Sequence, residues 1–396
     1  MNKEEIIKSD QAHFMNVYSG RYPVVADHGE GIKLIGKDGK IYYDFLAGIG
    51  VNALGYNHKR LNNALKEQID KIIHCSNLYY IEPQSYLEKK LAENSCFDKM
   101  FFANSGSEAN EGAIKLARKY FKIENENKYE VITAEKSFHG RTLTTVTATG
   151  QDKYKKQFTP LPVGFKTVPF NEIKALERSI TEKTAAVMLE PVQGEGGIYP
   201  ADWEYLQGVR KLCDDKDILL IFDEVQCGMG RTGSLFAYEN YGVEPDMITL
   251  AKALGGGIPI GVFMAKEKVA DAFEPGDHGT TFGGNHLATK AASVVLDIML
   301  ENDFLPTVKE RGKYFQEQLQ KLVDKFDNVV EVRGIGLMLA LELSDKLSAK
   351  DITMELFEKG FLVNAVKEHT LRFLPPLVVE NKEIDKLINT LTDILT

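Results

Sequence analysis

The 396-residue sequence contains little cysteine, one tryptophan and no long apolar segment. Its four cysteines, Cys75, Cys96, Cys213 and Cys227, stand far apart without a CxxC pair, which excludes a disulfide-rich scaffold and favours a reducing compartment. No apolar run approaches the roughly 18 residues that a membrane helix needs, and the start MNKEEIIKSD is charged rather than apolar. We therefore expect a cytoplasmic protein without a membrane partner.

The chain also lacks an excess of positive charge. Its 48 lysine and arginine residues are outnumbered by 57 aspartate and glutamate residues, which gives a net charge of −9 at pH 7. This balance disfavours a surface that collects phosphate backbones, although it allows a local basic pocket. We expect no nucleic-acid partner.

Short apolar runs alternate with amphipathic segments through the middle of the chain. The apolar runs of strand length are Met100–Phe102, Val131–Thr133, Ala185–Leu189, Ile218–Phe222, Met247–Leu250 and Ile260–Met264. Helical spacing between them includes Ala109, Ala113, Leu116, Ala117 and Tyr120, and then Trp203, Leu206, Val209 and Leu212. Such alternation is typical of a mostly parallel sheet covered on both faces. The sequence therefore predicts an α/β domain.

The two ends of the chain have a different pattern. Residues 31–45 predict a hairpin with its turn at 37–39, and residues 329–376 hold further apolar runs around a helix-like stretch. We expect both ends to build one smaller α+β unit. The predicted division is an N-terminal segment with part of the small domain at 1–55, a large domain at 56–285 and the C-terminal small domain at 286–396.

Ligands of open parallel sheets bind beyond the carboxyl ends of the strands, and two suggestive segments follow the first two apolar runs. In ANSGSEANEGAIKLARKY, Ser107 is predicted to cap a helix whose first backbone amides, from Gly106 onward, face an anion. In EKSFHGRT, Phe138, His139 and Arg141 could stack on a ring and hold a carboxylate. A plain capped helix and a solvated loop are the alternatives.

Two acidic residues follow the next two runs. Glu195 is flanked by glycines in EPVQGEGG. Either its loop allows the carboxylate to change position, or the side chain simply lies exposed on the surface. Asp223 emerges from a buried strand and needs a cation. The segment GMGRTG at 228–233 matches the dinucleotide fingerprint, so an NAD-dependent oxidoreductase is kept as a remote alternative. A nucleotide triphosphatase is excluded because G-x-x-x-x-G-K-[ST] is absent.

A single lysine, Lys252, lies between an apolar run and three glycines in TLAKALGGGIPIG. A partly desolvated amine has a lowered pKa and can form a Schiff base, although lysines at strand ends are usually solvated. Pyridoxal phosphate requires a lysine, a carboxylate for its ring nitrogen, a helix start for its phosphate and an aromatic side chain. Lys252, Asp223, the Gly106–Ser107 turn and Phe138 supply this set. The combination predicts transamination, with Lys252 carrying the proton between carbon atoms.

The segments NSGSEANEGAIKLAR, SFHGRT, EPVQGEGG, FDEVQCGMGRTG, LAKALGGGIPIG and HGTTFGGN resemble those of the class III, fold type I pyridoxal phosphate aminotransferases. The resemblance implies a large domain with a mostly parallel seven-stranded sheet, a smaller α+β domain from both termini, and a homodimer with shared active sites. GIGVNALGYNH and SNLYYIEPQ are similar to members that move the terminal amine of N2-acetylornithine to 2-oxoglutarate in arginine biosynthesis. Succinylornithine, ornithine, 4-aminobutyrate and succinyldiaminopimelate stay open as amino donors.

The resemblance also implies roles for individual positions. Those implied to bind the cofactor are Gly106, Ser107, Phe138, Asp223, Gln226, Lys252 and Thr281, with Gln226 near the cofactor's hydroxyl and Thr281 reaching the phosphate held by the neighbouring subunit. Those implied to bind substrates are Tyr18, Arg141, Glu195 and Arg372, with Arg141 on the distal carboxylate and Glu195 paired with Arg372. Lys252, Asp223 and Glu195 are the implied catalytic residues, and no metal is expected.

Three positions depart from patterns that are common in the family. Cys227 and His286 stand where threonine and proline are usual. Ile49 stands where enzymes that use free ornithine tend to carry tyrosine. The last departure favours acetylornithine over ornithine.

Overall fold

The computed structural model describes residues 1–18, 21–123 and 127–396. Within these ranges the strands are β1 (Ala26–Glu30), β2 (Lys33–Gly36), β3 (Ile41–Asp44), β4 (Lys99–Ala103), β5 (Glu130–Ala134), β6 (Phe165–Val168), β7 (Thr184–Leu189), β8 (Val192–Gln193), β9 (Tyr199–Pro200), β10 (Leu219–Asp223), β11 (Met247–Leu250), β12 (Gly261–Ala265), β13 (Val329–Ile335), β14 (Met338–Leu343), β15 (Phe361–Leu362), β16 (Asn364–Lys367) and β17 (Thr370–Phe373).

The helices in the same ranges are α1 (Lys3–His13), α2 (Ala47–Gly50), α3 (Lys59–Lys71), α4 (Glu82–Glu93), α5 (Gly106–Ile123), α6 (Leu143–Ala148), α7 (Asp152–Lys155), α8 (Ile173–Ser179), α9 (Trp203–Asp215), α10 (Glu267–Ala270), α11 (His286–Met299), α12 (Phe304–Lys325), α13 (Ala349–Glu358) and α14 (Asn381–Leu395). Short 3-10 turns cover Lys156–Phe158, Ala237–Tyr241 and Lys252–Gly255. Among the described residues, no helix has both the length and the apolarity to cross a membrane.

A seven-stranded sheet forms the centre of the fold, in the order β4-β12-β11-β10-β7-β5-β6. Its strands pair in parallel except for β12, which runs antiparallel to both β4 and β11. The predicted α/β class is confirmed, and each predicted apolar run lies within or overlaps a strand. Strand β6 was not predicted, because Lys166 interrupts its apolar residues and only Val168 is buried.

Helices cover the central sheet through the predicted apolar positions. Helix α5 buries its alanines and Leu116 against the sheet, and α9 buries Leu206 and Val209. Trp203 does not join this face: it is the first residue of α9 and is 55% exposed. Strand β7 is buried at every residue, as expected of a strand covered on both faces.

The two ends of the chain share one smaller sheet. The predicted hairpin is confirmed as β2 and β3, which pair antiparallel, and β15 near the C-terminus adds to β3 in parallel. A second sheet, β13-β14-β17-β16, is antiparallel and carries Arg372 on β17. Helix α11 packs on α3 and α4. The domain limits at 55/56 and 285/286 stay a prediction.

Candidate active site

A cavity of about 360 Å³ lies at the carboxyl ends of the parallel strands. The sequence-predicted residues in its wall are Gly106, Ser107, Phe138, Glu195, Asp223, Gln226 and Lys252. Each comes from the end of a strand or from the loop, helix start or 3-10 turn that follows it, because parallel strands bring their carboxyl ends to one edge of the sheet. The fold thus brings together residues that are far apart in the sequence.

Lys252 projects into this cavity from the first position of a 3-10 turn after β11. Its φ of +42° lies in the left-handed region, which is uncommon for a residue with a side chain. Burial lowers the pKa of the amine, and so does the charge of Arg372, while Glu195 and Asp223 act in the opposite direction. Nζ makes no hydrogen bond or ion pair within the described residues. The amine is therefore available for reaction with a ligand.

Asp223 forms the deepest part of the site, and we call Asp223, His139 and Asn110 the buried end of the cavity. Oδ2 of Asp223 lies 2.8 Å from His139 Nδ1 and accepts a 2.8 Å hydrogen bond from Asn110 Nδ2. Burial would lower the pKa of His139, but the hydrogen bond and charge of Asp223 outweigh burial and raise it. A carboxylate only accepts, so Nδ1 is the donor.

The partners of Asp223 were only partly foreseen. The sequence predicts that Asp223 meets a cation, the ring nitrogen of a cofactor, whereas within this chain His139 already contacts the carboxylate. Asn110 was missed, although a polar residue on the apolar face of α5 was a usable signal. Asn110 is 1% exposed, so its amide had to find a buried partner.

Glu195 and Gln226 line another part of the cavity, and Arg372 contacts both of them. We call these three residues the loop end of the cavity. Arg372 Nη1 donates to Glu195 Oε1 at 2.5 Å, and Gln226 bridges both side chains at 3.2 and 3.3 Å. Burial would raise the pKa of Glu195, but Arg372 and Lys252 outweigh burial and lower it to about 2. The resemblance implied the Glu195–Arg372 pair, and the structure places the two side chains in contact.

The start of α5 offers unpaired backbone amides to the cavity. The helix begins at Gly106, and Ser105 Oγ accepts the Glu108 N–H at 3.2 Å. The prediction that Ser107 caps this helix is wrong, because Ser107 lies inside the first turn and its Oγ accepts the Arg141 N–H instead. The amides of Gly106 and Ser107 have no acceptor among the described residues, as expected at a helix N-terminus that binds an anion.

Gly140 explains how the loop of Phe138 approaches α5 so closely. Its φ of +140° is a conformation that side chains disfavour, and a Cβ here would lie 2.3 Å from Ser107 Oγ. The glycine in SFHGRT therefore allows the aromatic side chain and the helix start to face the same cavity.

Four predicted residues lie outside the cavity wall in a single chain: Arg372, which contacts the wall residues Glu195 and Gln226, and three exposed residues. Arg141 is exposed, with its guanidinium 4.0 Å from the centre of the Tyr154 ring. Thr281 is exposed in the segment before α11. Tyr18 is 64% exposed and packs near Phe14. Their implied roles stay predictions.

The dinucleotide alternative does not fit the local fold. A dinucleotide fingerprint requires a helix directly after the glycine turn, but residues 228–233 lead into the 3-10 turn Ala237–Tyr241. Arg231, within this segment, is 1% exposed and donates to the carbonyl oxygens of Leu337 and Pro375. Its role is to tie the segment to the C-terminal part of the chain.

Cys227 and His286, two of the residues that depart from the family pattern, lie in different parts of the structure. Cys227 is buried, with Sγ 3.8 Å from the Asp223 carbonyl oxygen. His286 is the first residue of α11.

The fold and the cavity define a pyridoxal-phosphate aminotransferase of fold type I, and comparison with known proteins agrees. The family "Aminotransferase class-III" matches residues 14–395, and this chain belongs to that family. It is 54% identical over its full length to the acetylornithine aminotransferase of Methanocaldococcus jannaschii, covering 99% of that protein. It is 51% identical to the acetylornithine aminotransferase of Caldanaerobacter subterraneus, with 99% of each chain covered.

Solved structures are similar over the whole chain. The ornithine aminotransferase of Toxoplasma gondii superposes with a TM-score of 0.94 at 31% identity, covering 99% of this chain and 94% of that one. The acetylornithine aminotransferase of Elizabethkingia anophelis has a TM-score of 0.88 at 32% identity, covering 100% and 99%. Class III aminotransferases use pyridoxal 5'-phosphate. The unpaired Lys252 amine, the Asp223 carboxylate and the free amides at the start of α5 fit that group.

Proposed function

We propose that this protein transfers the terminal amine of N2-acetylornithine to 2-oxoglutarate, giving N-acetylglutamate 5-semialdehyde and glutamate, as a step of arginine biosynthesis. The relatives named acetylornithine aminotransferase, which match the full chain, support this substrate. The observation that carries the proposal is the ion pair of Arg372 with Glu195, which lines the same cavity as the unpaired amine of Lys252.

The ion pair explains how one cavity can accept two different amino donors. N2-acetylornithine presents a terminal amine with its only carboxylate far away, whereas glutamate carries a carboxylate beside the reacting carbon. Arg372 neutralised by Glu195 suits the first donor, and a free Arg372 suits the second. Glu195 lies between Gly194 and Gly196, and its side chain is 25% exposed, so it has room to swing aside. Arg141 holds the distal carboxylate of both donors.

The remaining residues hold the cofactor and handle the proton. When bound, pyridoxal 5'-phosphate supplies an aldehyde that captures amines and a ring that takes up the electrons of a broken carbon–hydrogen bond. The residues that would hold it are Gly106 and Ser107 for the phosphate, Phe138 for the ring, Gln226 for the ring hydroxyl and Asp223 for the ring nitrogen. His139 keeps Asp223 oriented. Lys252 would hold the aldehyde, and its Nζ, once released, would accept the proton from the substrate carbon and return it.

A second copy of the chain completes the site. An apolar patch of Leu78, Tyr79, Tyr80 and Phe282 is exposed, with exposed fractions of 87, 68, 104 and 59%. Its two segments are joined, because Asn77 Nδ2 donates to the Gly283 carbonyl oxygen at 2.9 Å. Large exposed apolar patches mark protein–protein contacts, and Thr281 adjoins this one in sequence. In the homodimer Thr281 reaches the phosphate in the neighbouring cavity, and Tyr18 contributes to substrate binding.

The dimer is tested by sedimentation equilibrium on the wild-type protein and on Tyr80→Glu. The wild type should have twice the mass of one chain, whereas the charge buried by Tyr80→Glu should give a monomer with weakened cofactor binding. A wild-type monomer with full cofactor affinity would remove the shared site.

The substrate is tested by measuring kcat/KM for N2-acetylornithine, succinylornithine, ornithine, 4-aminobutyrate and succinyldiaminopimelate with 2-oxoglutarate. We expect yellow protein and the highest value for N2-acetylornithine. Differences of one or two side chains in a pocket are typically worth about 1–3 kcal/mol, so weaker activity with related donors is expected. A higher kcat/KM for another donor would assign the protein to a related ω-aminotransferase activity.

A further inference from the structure

Glu190 is a buried carboxylate at the cavity that has no role in the mechanism above. It follows the last residue of β7, lines the cavity and is 5% exposed. Oε1 accepts the backbone N–H of Phe138 at 2.9 Å, and Oε2 accepts the backbone N–H of Gly194 at 3.1 Å. One side chain therefore ties together two loops that come from different strands.

The two loops carry residues with different proposed roles, one in cofactor binding and one in the choice of amino donor. The first places Phe138 in the cavity wall, where it would contact the cofactor ring. The second leads from Gly194 directly to Glu195, which pairs with Arg372. Gly194 is also packed tightly, because a Cβ at this position would lie 2.1 Å from Gln226 Oε1. A shift of either loop would thus be transmitted to the loop end of the cavity.

We propose that Glu190 is a positioning residue that fixes the loop of Phe138 relative to the loop of Glu195, and so couples cofactor binding to the choice between the two amino donors. The donor part rests on the proposed function. The cofactor part rests on the geometry of the Phe138 loop alone.

The arrangement requires both oxygens of a carboxylate. Glutamine has one acceptor oxygen, so it would leave either the Phe138 or the Gly194 N–H facing its own NH2 group. A buried donor without an acceptor is unfavourable, and the loop concerned would move. Burial raises the pKa of Glu190 to about 7, His139 acts to lower it, and Asp223 acts to raise it further. The carboxylate thus occupies a site where burial opposes its charge, while both backbone amides stabilise it.

Glu224 is a matched control in the same chain. It is 1% exposed and accepts the backbone N–H groups of Ala237 and Tyr238 at 2.5 and 2.7 Å. Burial raises its pKa to about 8. The 3-10 turn that it holds, Ala237–Tyr241, contributes no residue to the cavity wall. Loss of Glu224 should therefore have the stability effect of losing a buried carboxylate without the effect on the site.

The experiment compares the wild type, Glu190→Gln and Glu224→Gln by three measurements. These are the Tm, the Kd of the apo-enzyme for pyridoxal 5'-phosphate, and the ratio of single-turnover rates with N2-acetylornithine and glutamate. Both variants should lower Tm. Only Glu190→Gln should raise the cofactor Kd and change the rate ratio, each by about threefold to tenfold, the effect of one hydrogen bond.

The outcomes separate the proposal from a purely structural role. If Glu190→Gln lowers Tm while the Kd and the ratio stay at wild-type values, or if Glu224→Gln changes them equally, Glu190 does not position the loops. Should Glu190→Gln fail to fold, Glu190→Asp, which keeps the charge but shortens the reach, is expected to change the same two quantities. If the wild type does not use N2-acetylornithine, the proposed function fails, and an unchanged cofactor Kd would still overturn the positioning of Phe138.

Discussion

The two ends of the cavity are both built on a carboxylate that faces a cation, but they differ in exposure. In the buried end the side chains of His139 and Asp223 are 0 and 3% exposed. In the loop end Arg372 is 1% exposed, whereas Glu195 is 25% exposed. A fully buried pair cannot exchange partners without leaving a charge unpaired, while a pair with one partly exposed member can. The difference indicates a fixed charge at one end and an exchangeable charge at the other.

The structural elements that position the residues of the two ends support this difference. Asp223 ends β10 and is held from α5 by Asn110 and from the following loop by the Val225 N–H at 3.0 Å. Glu195 belongs to a loop with glycine on both sides, and its partners Arg372 and Gln226 are side chains only. The buried end is thus anchored by regular structure, and the loop end by contacts that a substrate carboxylate can replace.

Lys252→Ala should have the largest effect, because the amine is influenced by the charges of both ends. We expect the visible absorbance of lysine-linked cofactor to disappear and kcat to fall by about 10³-fold or more with every donor, since general acid–base groups contribute up to about 10⁴-fold. The absorption spectrum and steady-state rates of purified protein measure this. A variant that keeps the wild-type band would refute the assignment of Lys252.

Asp223→Asn tests the fixed end. The variant removes one charge of a buried pair, which typically costs about 3–5 kcal/mol of stability, and it removes the partner of the ring nitrogen. We expect kcat to fall by about 10²-fold or more, equally for N2-acetylornithine and glutamate. Single-turnover rates with each donor check the prediction. An effect confined to one donor would mean that the buried end also discriminates.

Arg141→Ala tests a carboxylate contact that both donors share, and its effect can be compared with that of a change at the exchangeable end. If Arg141 holds the carboxylate that both donors carry at a distance, its loss should raise KM for both by about 10- to 100-fold, the effect of a lost charge-assisted contact. Steady-state titrations with each donor give the two values. Unchanged affinity for both substrates would show that the carboxylate binds elsewhere.

Glu195→Gln should change the balance between donors rather than the overall rate. Without the negative charge, Arg372 is free for the carboxylate of glutamate, so the glutamate half-reaction should gain about tenfold relative to the acetylornithine half-reaction. Rapid mixing with each donor measures the ratio. Equal losses in both half-reactions would remove the exchangeable charge from the mechanism.

How much of this site follows from the sequence depends on how each residue is connected to its strand. Asp223 directly follows a buried apolar run, and Lys252 is separated from one by Ala251 alone, so the position and the chemistry of both could be predicted. Glu195 and Arg372 are 177 residues apart, and only the packing of β17 beside the 194–197 loop brings them together. No spacing rule could supply that contact, and the resemblance to a family was needed.

Buried polar residues were the main omission. Glu190 ends an apolar run as Asp223 does, but a carboxylate that accepts two backbone amides gives no sequence pattern of its own. His139 was recognised as a candidate without a partner, because its contact with Asp223 joins the loop after β5 to the end of β10. The cap at Ser107 was wrong for a smaller reason: two serines flank Gly106, and the sequence does not show which of them begins the helix.

The smallest expected effect is the pH dependence of stability. It compares Glu190, beside the buried end, with Glu195, at the loop end, in the absence of substrate. Burial raises the pKa of Glu190, beside the buried end, to about 7, so its contribution to stability is full below its ordinary pKa of 4.5 and is lost as pH rises through about 7. The pKa of Glu195 is lowered to about 2, so its contribution is present above 4.5 and is lost only as pH falls toward 2. Of these two carboxylates, only Glu190 titrates between about pH 5 and 8.

The Tm difference between Glu190→Gln and the wild type should therefore narrow as pH rises from about 5 to 8, by about 2–4 °C, because the wild type increasingly buries a charge that the variant lacks. The difference for Glu195→Gln should stay constant over the same range. Differential scanning calorimetry of the three proteins measures both. A constant difference for Glu190→Gln together with a changing one for Glu195→Gln would show that Glu195, and not Glu190, titrates between pH 5 and 8.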